Sequence, residues 1–271
     1  MQAKSSLLIS TYNWPQALEL VLKSVLNQSQ LPDEVIVAED GEDQTTKTLI
    51  EGFKSKLAIP LIHISHEDLG FRKSVILNKA IAKAQGEYII QVDGDCILHK
   101  HFIKDHLSFV QKNTYLYGSR VNIQEPYLET LFSQQKINFN AFSKGIKKRT
   151  RALYIPLFSG LFKTKTVLSS KYRGCNTSYF KSDAIAVNGY NEDIQGWGRE
   201  DSEFALRLVN KGVLGRRLRY KGIVFHIFHV EKSKAQLKQN DGIEQQTILE
   251  KSIWCKNGID KYLGESNETN T

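Results

Sequence analysis

No stretch of this 271-residue chain approaches the roughly 20 consecutive apolar residues that a membrane-spanning helix needs. The opening MQAKSSLLISTYN runs straight into a strand pattern without the apolar block of a signal peptide, so a cytoplasmic location is expected. Cysteine is scarce. Cys96, Cys175 and Cys255 are scattered and none belongs to a CxxC pair, which excludes a disulfide framework and a CxxC zinc or redox centre; all three are expected to be reduced. No GxxxxGK[ST] loop occurs, so P-loop kinase or NTPase chemistry is excluded. Repeats and low-complexity tracts are missing too. What is present is 41% apolar residues and enough chain for one large domain or two small lobes around a shared core, a composition that rules out disorder.

The hydrophobic pattern alternates between strand and helix. Leu7–Ser10 is a short apolar run, and Ala17, Leu18, Val21, Leu22, Val25 and Leu26 then follow at helical spacing. A strand at Glu34–Ala38 ends in Glu39-Asp40-Gly41; a helix reaches about Lys54, and a strand follows at Leu61–Ser65. A helix at Ser74–Ala84 precedes Gly86, and a strand at Glu87–Val92 ends in Asp93-Gly94-Asp95. This order predicts an α/β fold, a mostly parallel sheet flanked by helices, with ligands at the carboxyl ends of the strands. Asp40 and Asp93 both fall at such ends. Residues 1–120 therefore read as a nucleotide-binding lobe, residues 121–265 as a smaller lobe of the same domain, and residues 266–271 as a flexible tail. In the second lobe, helices are expected at Leu128–Phe142, Ser202–Lys211 and Ile243–Trp254, and a strand at Ile223–Val230.

Three motifs carry chemistry. Asp93-Gly94-Asp95 sets two hard oxygen donors two residues apart around a glycine that permits close backbone approach, with no basic partner beside it in sequence. Such a pair can hold Mg²⁺ or Mn²⁺, and it can equally be a solvated turn. Gly196-Trp197-Gly198-Arg199-Glu200-Asp201 reads either as an acidic helix start or as a mobile lid with a stacking aromatic and a proton-accepting carboxylate. Capping leaves Trp197 between two glycines unexplained. His226 and His229 stand three apart in a strand pattern and should face opposite sides, so one of them is expected to be structural. His229, at the strand end, is the favoured metal ligand, with His226 as the alternative.

Taken in order, Leu8-Ile9-Ser10-Thr11-Tyr12-Asn13, Val35 to Gly41, Gly70-Phe71-Arg72-Lys73 with Leu77-Asn78-Lys79-Ala80, and Asp93-Gly94-Asp95 resemble the nucleotide-sugar domain of family 2 inverting glycosyltransferases of the GT-A fold. Gly174 to Phe180, Val187 to Tyr190 and Gly196 to Asp201 resemble the acceptor half shared by chondroitin-polymerase-like enzymes and galactosyltransferases. The resemblance spans about residues 6–230. It implies that Thr11, Tyr12 and Asn13 line the base pocket, that Asp40 bonds base or ribose, and that Arg72, Lys73, Asp93 and Gly94 lie along the nucleotide sugar. It further implies metal ligation by Asp95 and His229, with Asp93 direct or through water, acceptor contacts from Glu200, Trp197 and Asn176, and Asp201 as general base. The implied cofactor is Mn²⁺ or Mg²⁺. The implied partners are a nucleotide-sugar donor, a UDP-sugar foremost, and a saccharide or lipid-linked saccharide acceptor of bacterial surface polysaccharide or lipopolysaccharide. Arg199 stands where relatives commonly have a second glycine.

Two rival readings remain at this level. One keeps the fold without turnover, as a nucleotide-sugar or carbohydrate-binding protein. The other is a nucleic-acid-binding protein, suggested by the net charge of +8 and its clusters at Lys144–Arg151 and Arg216–Arg219. Basic patches beside apolar helices fit an anionic membrane face or a phosphate-bearing substrate better, so no nucleic-acid partner is expected. The aromatic, basic stretch Phe139–Phe162 either rests peripherally on the inner membrane leaflet or completes the core.

Overall fold

In the computed structural model, which describes residues 3–230 and 233–264, the apolar runs become the buried centre of a seven-stranded sheet. The strands are β1 (Ser5–Thr11), β2 (Glu34–Glu39), β3 (Leu61–Ser65), β4 (Tyr88–Asp93), β5 (Cys96–Leu98), β6 (Thr114–Tyr117), β7 (Ser119–Ile123), β8 (Ile146–Lys147), β9 (Asn176–Phe180), β10 (Leu214–Arg217) and β11 (Ile223–His226). The helices are α1 (Pro15–Leu26), α2 (Gln44–Lys54), α3 (Lys73–Lys83), α4 (Phe102–Leu107), α5 (Leu128–Ser133), α6 (Lys181–Ile185), α7 (Glu200–Asn210) and α8 (Leu237–Glu250). The large sheet runs β10-β6-β9-β4-β1-β2-β3. Strands β4, β1, β2 and β3 are parallel, while β9 is antiparallel to both its neighbours. A second sheet, β5-β11-β7-β8, packs its apolar face on its own core of Val121, Ile223, Phe225 and Ile227.

Period-two alternation puts Leu7 and Ile9 of β1 on one face with Leu18, Val21 and Leu22 of α1. Leu8 faces the opposite way, toward Ile76, Leu77 and Ile81 of α3. Both faces are buried, which is why these strands read as nearly continuous apolar runs. From β1 the chain winds through α1 to β2 on one side, whereas β4 lies on the other side. The crevice between the carboxyl ends of β1 and β4 is thus the point where strand order reverses. Pairing of Ser10 with Asp93 and of Thr11 with Glu39 brings three strand ends level there.

The two sequence halves share both sheets, since β9 and β10 complete the large one and β5 and β7 belong to the second. The helix expected at Leu128–Phe142 stops at Ser133, because Gln135 turns into the left-handed region at φ 49°. Phe139 then packs into the second core against Phe225, and Phe142 is exposed. Helix α8 begins six residues before the expected Ile243 and ends at Glu250. Residues 266–271, read as a tail, lie outside the described residues. All three cysteines are free and buried. Among the described residues no helix is long and apolar enough to cross a membrane.

Helix α7 is held from beneath by a buried ion pair. Arg207 gives Nε to Glu203 Oε1 at 2.7 Å and Nη2 to Oε2 at 2.8 Å, and its Nη1 donates to the carbonyl of Val187. Thr247 of α8 donates to the same Glu203 at 3.1 Å. Glu203→Ala would leave a guanidinium buried without its counter-charge, which costs about 3–5 kcal/mol. Urea unfolding should show that loss, and a change below about 1 kcal/mol would contradict it.

Candidate functional site

One cleft of about 1710 Å³ opens over the ends of β1, β2 and β4, larger than a small-molecule pocket and roomy enough for two ligands. Thr11, Tyr12, Asn13, Asp40, Lys73, Asp93, Gly94, Asp95, Trp197, Glu200, Asp201, His226 and His229 all line it. Residues from opposite ends of the sequence thereby share one solvent space.

At the floor, Lys73 at the start of α3 reaches Asp93 Oδ1 at 3.0 Å and Glu200 Oε1 at 3.8 Å. Asp93, without a basic neighbour in sequence, therefore has one in space. Burial works against the ammonium charge, yet Asp201, Asp93 and Glu200 together hold Lys73 well above the ordinary lysine range. Burial also opposes ionisation of Asp93, but Lys73 and the Ser10 hydroxyl, donating at 2.9 Å, keep its carboxyl below the usual value. Gly94 fits between these groups because a Cβ there would stand 2.8 Å from the Thr11 side chain.

Helix α7 starts at Glu200, two residues earlier than the sequence pattern suggests, so Glu200 and Asp201 occupy its first turn. Arg199 caps it at φ 78°, a left-handed conformation that costs an ordinary residue about 1–2 kcal/mol and explains why glycine suits this position. Ion pairs to Asp241 at 2.5 Å and Glu244 at 3.4 Å tie Arg199 to α8 in compensation. Asp201 accepts from the Gly174 amide through Oδ2 at 3.0 Å, while its Oδ1 is buried with no hydrogen-bond partner. A Cβ on residue 174 would lie 1.9 Å from that Oδ1, so only glycine admits the carboxylate. Burial raises the pKa of Asp201, against the pull of Lys73. Glu200 is pushed up to about 7, by burial first and by the charge of Asp201 second.

The two histidines require a correction. Strand β11 ends at His226, and the Ile227 amide donates to the Asp95 carbonyl at 2.9 Å, so the extended geometry that would separate the rings stops there. Asp95 Oδ2 stands 3.5 Å from His226 Nε2 and 3.3 Å from His229 Nε2. Ligands about 2.1 Å from one ion stand about 3.0–3.4 Å apart at octahedral to tetrahedral angles, so the donor set fits a divalent metal. The Val230 carbonyl takes the Nδ1 proton of His229 at 2.9 Å, leaving the Nε2 lone pair toward Asp95.

Other residues behave differently from expectation. Asn176, read as an acceptor contact, is 1% exposed and lies outside the cleft lining. Its amide donates to the Ser119 and Gly222 carbonyls at 3.1 and 2.7 Å, so it ties β9 to the second sheet instead. Arg72 is also outside the lining: its guanidinium bonds the Glu67 carbonyl, and only its backbone amide matters here, donating to Asp40 Oδ2 at 2.8 Å. His66 holds the other oxygen of Asp40 at 2.7 Å. Ser10, His66 and Gly174 were missed. A strand-end serine and a pre-strand glycine were visible in the sequence, but nothing there revealed what they touch.

A cleft of this kind at a switch point defines the class: an α/β protein that receives its ligand at the carboxyl ends of parallel strands. The chain belongs to glycosyl transferase family 2, which residues 6–179 match, while residues 162–230 match the N-terminal domain of galactosyltransferase. It is 26% identical over 225 residues to chondroitin synthase of Escherichia coli, covering 76% of this chain and 32% of that protein. The chondroitin synthase of Pasteurella multocida is 25% identical over 229 residues, 78% of this chain and 23% of that protein. The chain thus spans about a third or less of these relatives. The fold is GT-A. Staphylococcus aureus TarS 1–349 in complex with UDP superposes with a TM-score of 0.63 at 17% identity, over 91% of this chain and 65% of that one. A Pyrobaculum calidifontis mannosyltransferase with GDP-Man and Mn²⁺ gives 0.60 at 15%, over 92% and 65%.

The raised pKa of Glu200 has a thermodynamic sign. A carboxyl that titrates near 7 in the fold and at 4.5 ordinarily takes up a proton on folding, so it lowers stability progressively as pH rises through that window. Urea midpoints measured from pH 4.5 to 8 should fall less steeply for Glu200→Gln than for the wild type. Parallel profiles would contradict the assignment.

Proposed function

We propose that this protein transfers a sugar from a nucleoside diphosphate donor, a UDP-sugar, to a hydroxyl of a saccharide or lipid-linked saccharide, with inversion at the anomeric carbon. Bacterial surface polysaccharide or lipopolysaccharide synthesis is the setting. The observation that carries this reading is the cleft itself, which joins the Asp95, His226 and His229 donors to a buried carboxylate with an unpartnered oxygen at Asp201. The UDP in the TarS structure and the chondroitin synthases among the relatives support the choice of donor and product class.

Thr11, Tyr12 and Asn13 would receive the base, with Asp40, held by His66 and the Arg72 amide, at the ribose or base edge. Asp95, His226 and His229 would hold the metal, and two imidazoles favour Mn²⁺ over Mg²⁺. A divalent ion there supplies neutralisation of the leaving diphosphate. Trp197 stacks on a sugar, and Glu200 holds the acceptor. Asp201 takes the acceptor hydroxyl proton through Oδ1 as the acceptor oxygen bonds to the anomeric carbon and the bond to the diphosphate oxygen breaks. A single displacement with one base inverts the centre, whereas retention by double displacement would need a second carboxylate as nucleophile. Lys73 keeps Asp93 ionised and holds Glu200 in place without entering the reaction. Exposed Phe142, Leu157 and Leu161 beside basic residues fit a cytoplasmic protein resting on the inner leaflet.

Asp201→Asn removes the base and should lower turnover about 10²–10⁴-fold while UDP binding persists. Gly174→Ala, which displaces the same carboxylate, should act in the same direction. NMR of the wild-type product should show a β linkage from an α-linked donor. Unchanged turnover in Asp201→Asn, or an α product, would reject the mechanism.

A further inference from the structure

Next to Arg120 and Arg173 of the cleft, three further arginines gather from elements distant in sequence. Arg120 is the second residue of β7, Arg217 ends β10 and Arg219 follows two residues later; Arg151 lies in a 3-10 turn after β8, and Arg173 immediately precedes the glycine that touches Asp201. Strand pairing sets Arg217 beside Tyr117, whose ring meets Tyr172 at 5.9 Å, and Arg151 Nη1 donates to the Arg120 carbonyl at 3.2 Å. Arg120 and Arg173 line the same cleft as Asp201. Among the described residues none of the five is ion-paired with a carboxylate, whereas Lys23, Lys54, Arg199, Arg207 and Lys261 are. The Nε atoms of Arg120 and Arg217 are buried without any acceptor. Burial lowers the pKa of both Arg151 and Arg217, and neighbouring guanidinium groups lower it further. Concentrated, partly desolvated charge of one sign is costly unless an anion completes it.

We infer that the acceptor of the proposed transfer carries a phosphate or diphosphate group, seated among Arg120, Arg151, Arg173, Arg217 and Arg219. This rests on the transferase reading and names its acceptor class. Arginine forks match phosphate oxygens bidentately, and five of them leave a saccharide without charge no reason to be chosen. An apolar rim adjoins the socket. Phe158 and Phe162 pack against Tyr220, which carries the Arg219 guanidinium at 4.7 Å, and Leu157 and Leu161 stand 86% and 74% exposed beside them. An anion next to an apolar chain suits both features.

The test uses inorganic pyrophosphate as probe, titrated calorimetrically in EDTA so that metal-dependent nucleotide binding does not contribute. Wild-type protein should bind it, more weakly as salt rises. Arg151→Gln/Arg219→Gln should lose affinity about tenfold or more, as loss of charge-assisted hydrogen bonds predicts, and the exposed neighbour Lys148→Gln should weaken it less. Adsorption to phosphatidylglycerol but not phosphatidylcholine vesicles, abolished in the same double variant, identifies a lipid phosphate as the source. Pyrophosphate binding without adsorption identifies a soluble phosphate ester. No binding by the wild type, or equal binding by the variants, overturns the inference. UDP binding with Mn²⁺ is followed on the same preparations. If it persists while the pyrophosphate site is missing, this inference alone falls; if the wild type binds pyrophosphate but no nucleotide, the transferase reading falls and the anion socket stands.

Discussion

The Lys73 ammonium is the constraint on which the site depends. Asp93, Glu200 and Asp201 come from the end of β4 and the start of α7, and three carboxylates brought into one partly buried space repel one another. A single cation at the first position of α3 offsets part of that repulsion. It thereby couples the end of β4 to the first turn of α7 across the cleft. The coupling is not symmetric: Asp93 is held ionised, whereas Glu200 and Asp201 remain above the ordinary carboxylate range. A raised carboxyl is the more basic one, which is the direction general-base work requires.

The second sheet supplies what the large one lacks. Strand β5 leaves Asp95 at the cleft, and β11 pairs with it so that His226 and His229 arrive at the same carboxylate. Glycine and left-handed backbone then permit the close approaches. Gly174 lets Asp201 press against the chain before β9, and Arg199 bears a strained cap that α8 stabilises through two ion pairs.

Much of this was legible in the sequence where the chemistry is local. The runs Leu7–Ser10 and Glu34–Ala38 are strands buried on both faces, Leu61–Ser65 is the half-buried edge strand beside them, and Asp93-Gly94-Asp95 follows another buried run. What failed to show was set by tertiary contact. Whether His226 and His229 diverge depends on where β11 stops, and the hydrogen bond that the Ile227 amide donates to the Asp95 carbonyl decides that, not the periodicity. Asn176 sat in a motif with acceptor residues, yet two backbone carbonyls claim its amide. The basic cluster after Phe139 was visible as charge, but its meeting with Arg120 and Arg217 required the strand order.

Nucleoside diphosphate release tests the central claim most directly. It is followed across a panel of UDP, GDP and dTDP sugars with mixed saccharide acceptors, in Mn²⁺ and again in EDTA. Release from a UDP-sugar that disappears in EDTA, and that is lost on substituting either His226 or His229 by alanine, is the expected result. Release from no donor, or release indifferent to EDTA and to both histidines, would contradict it.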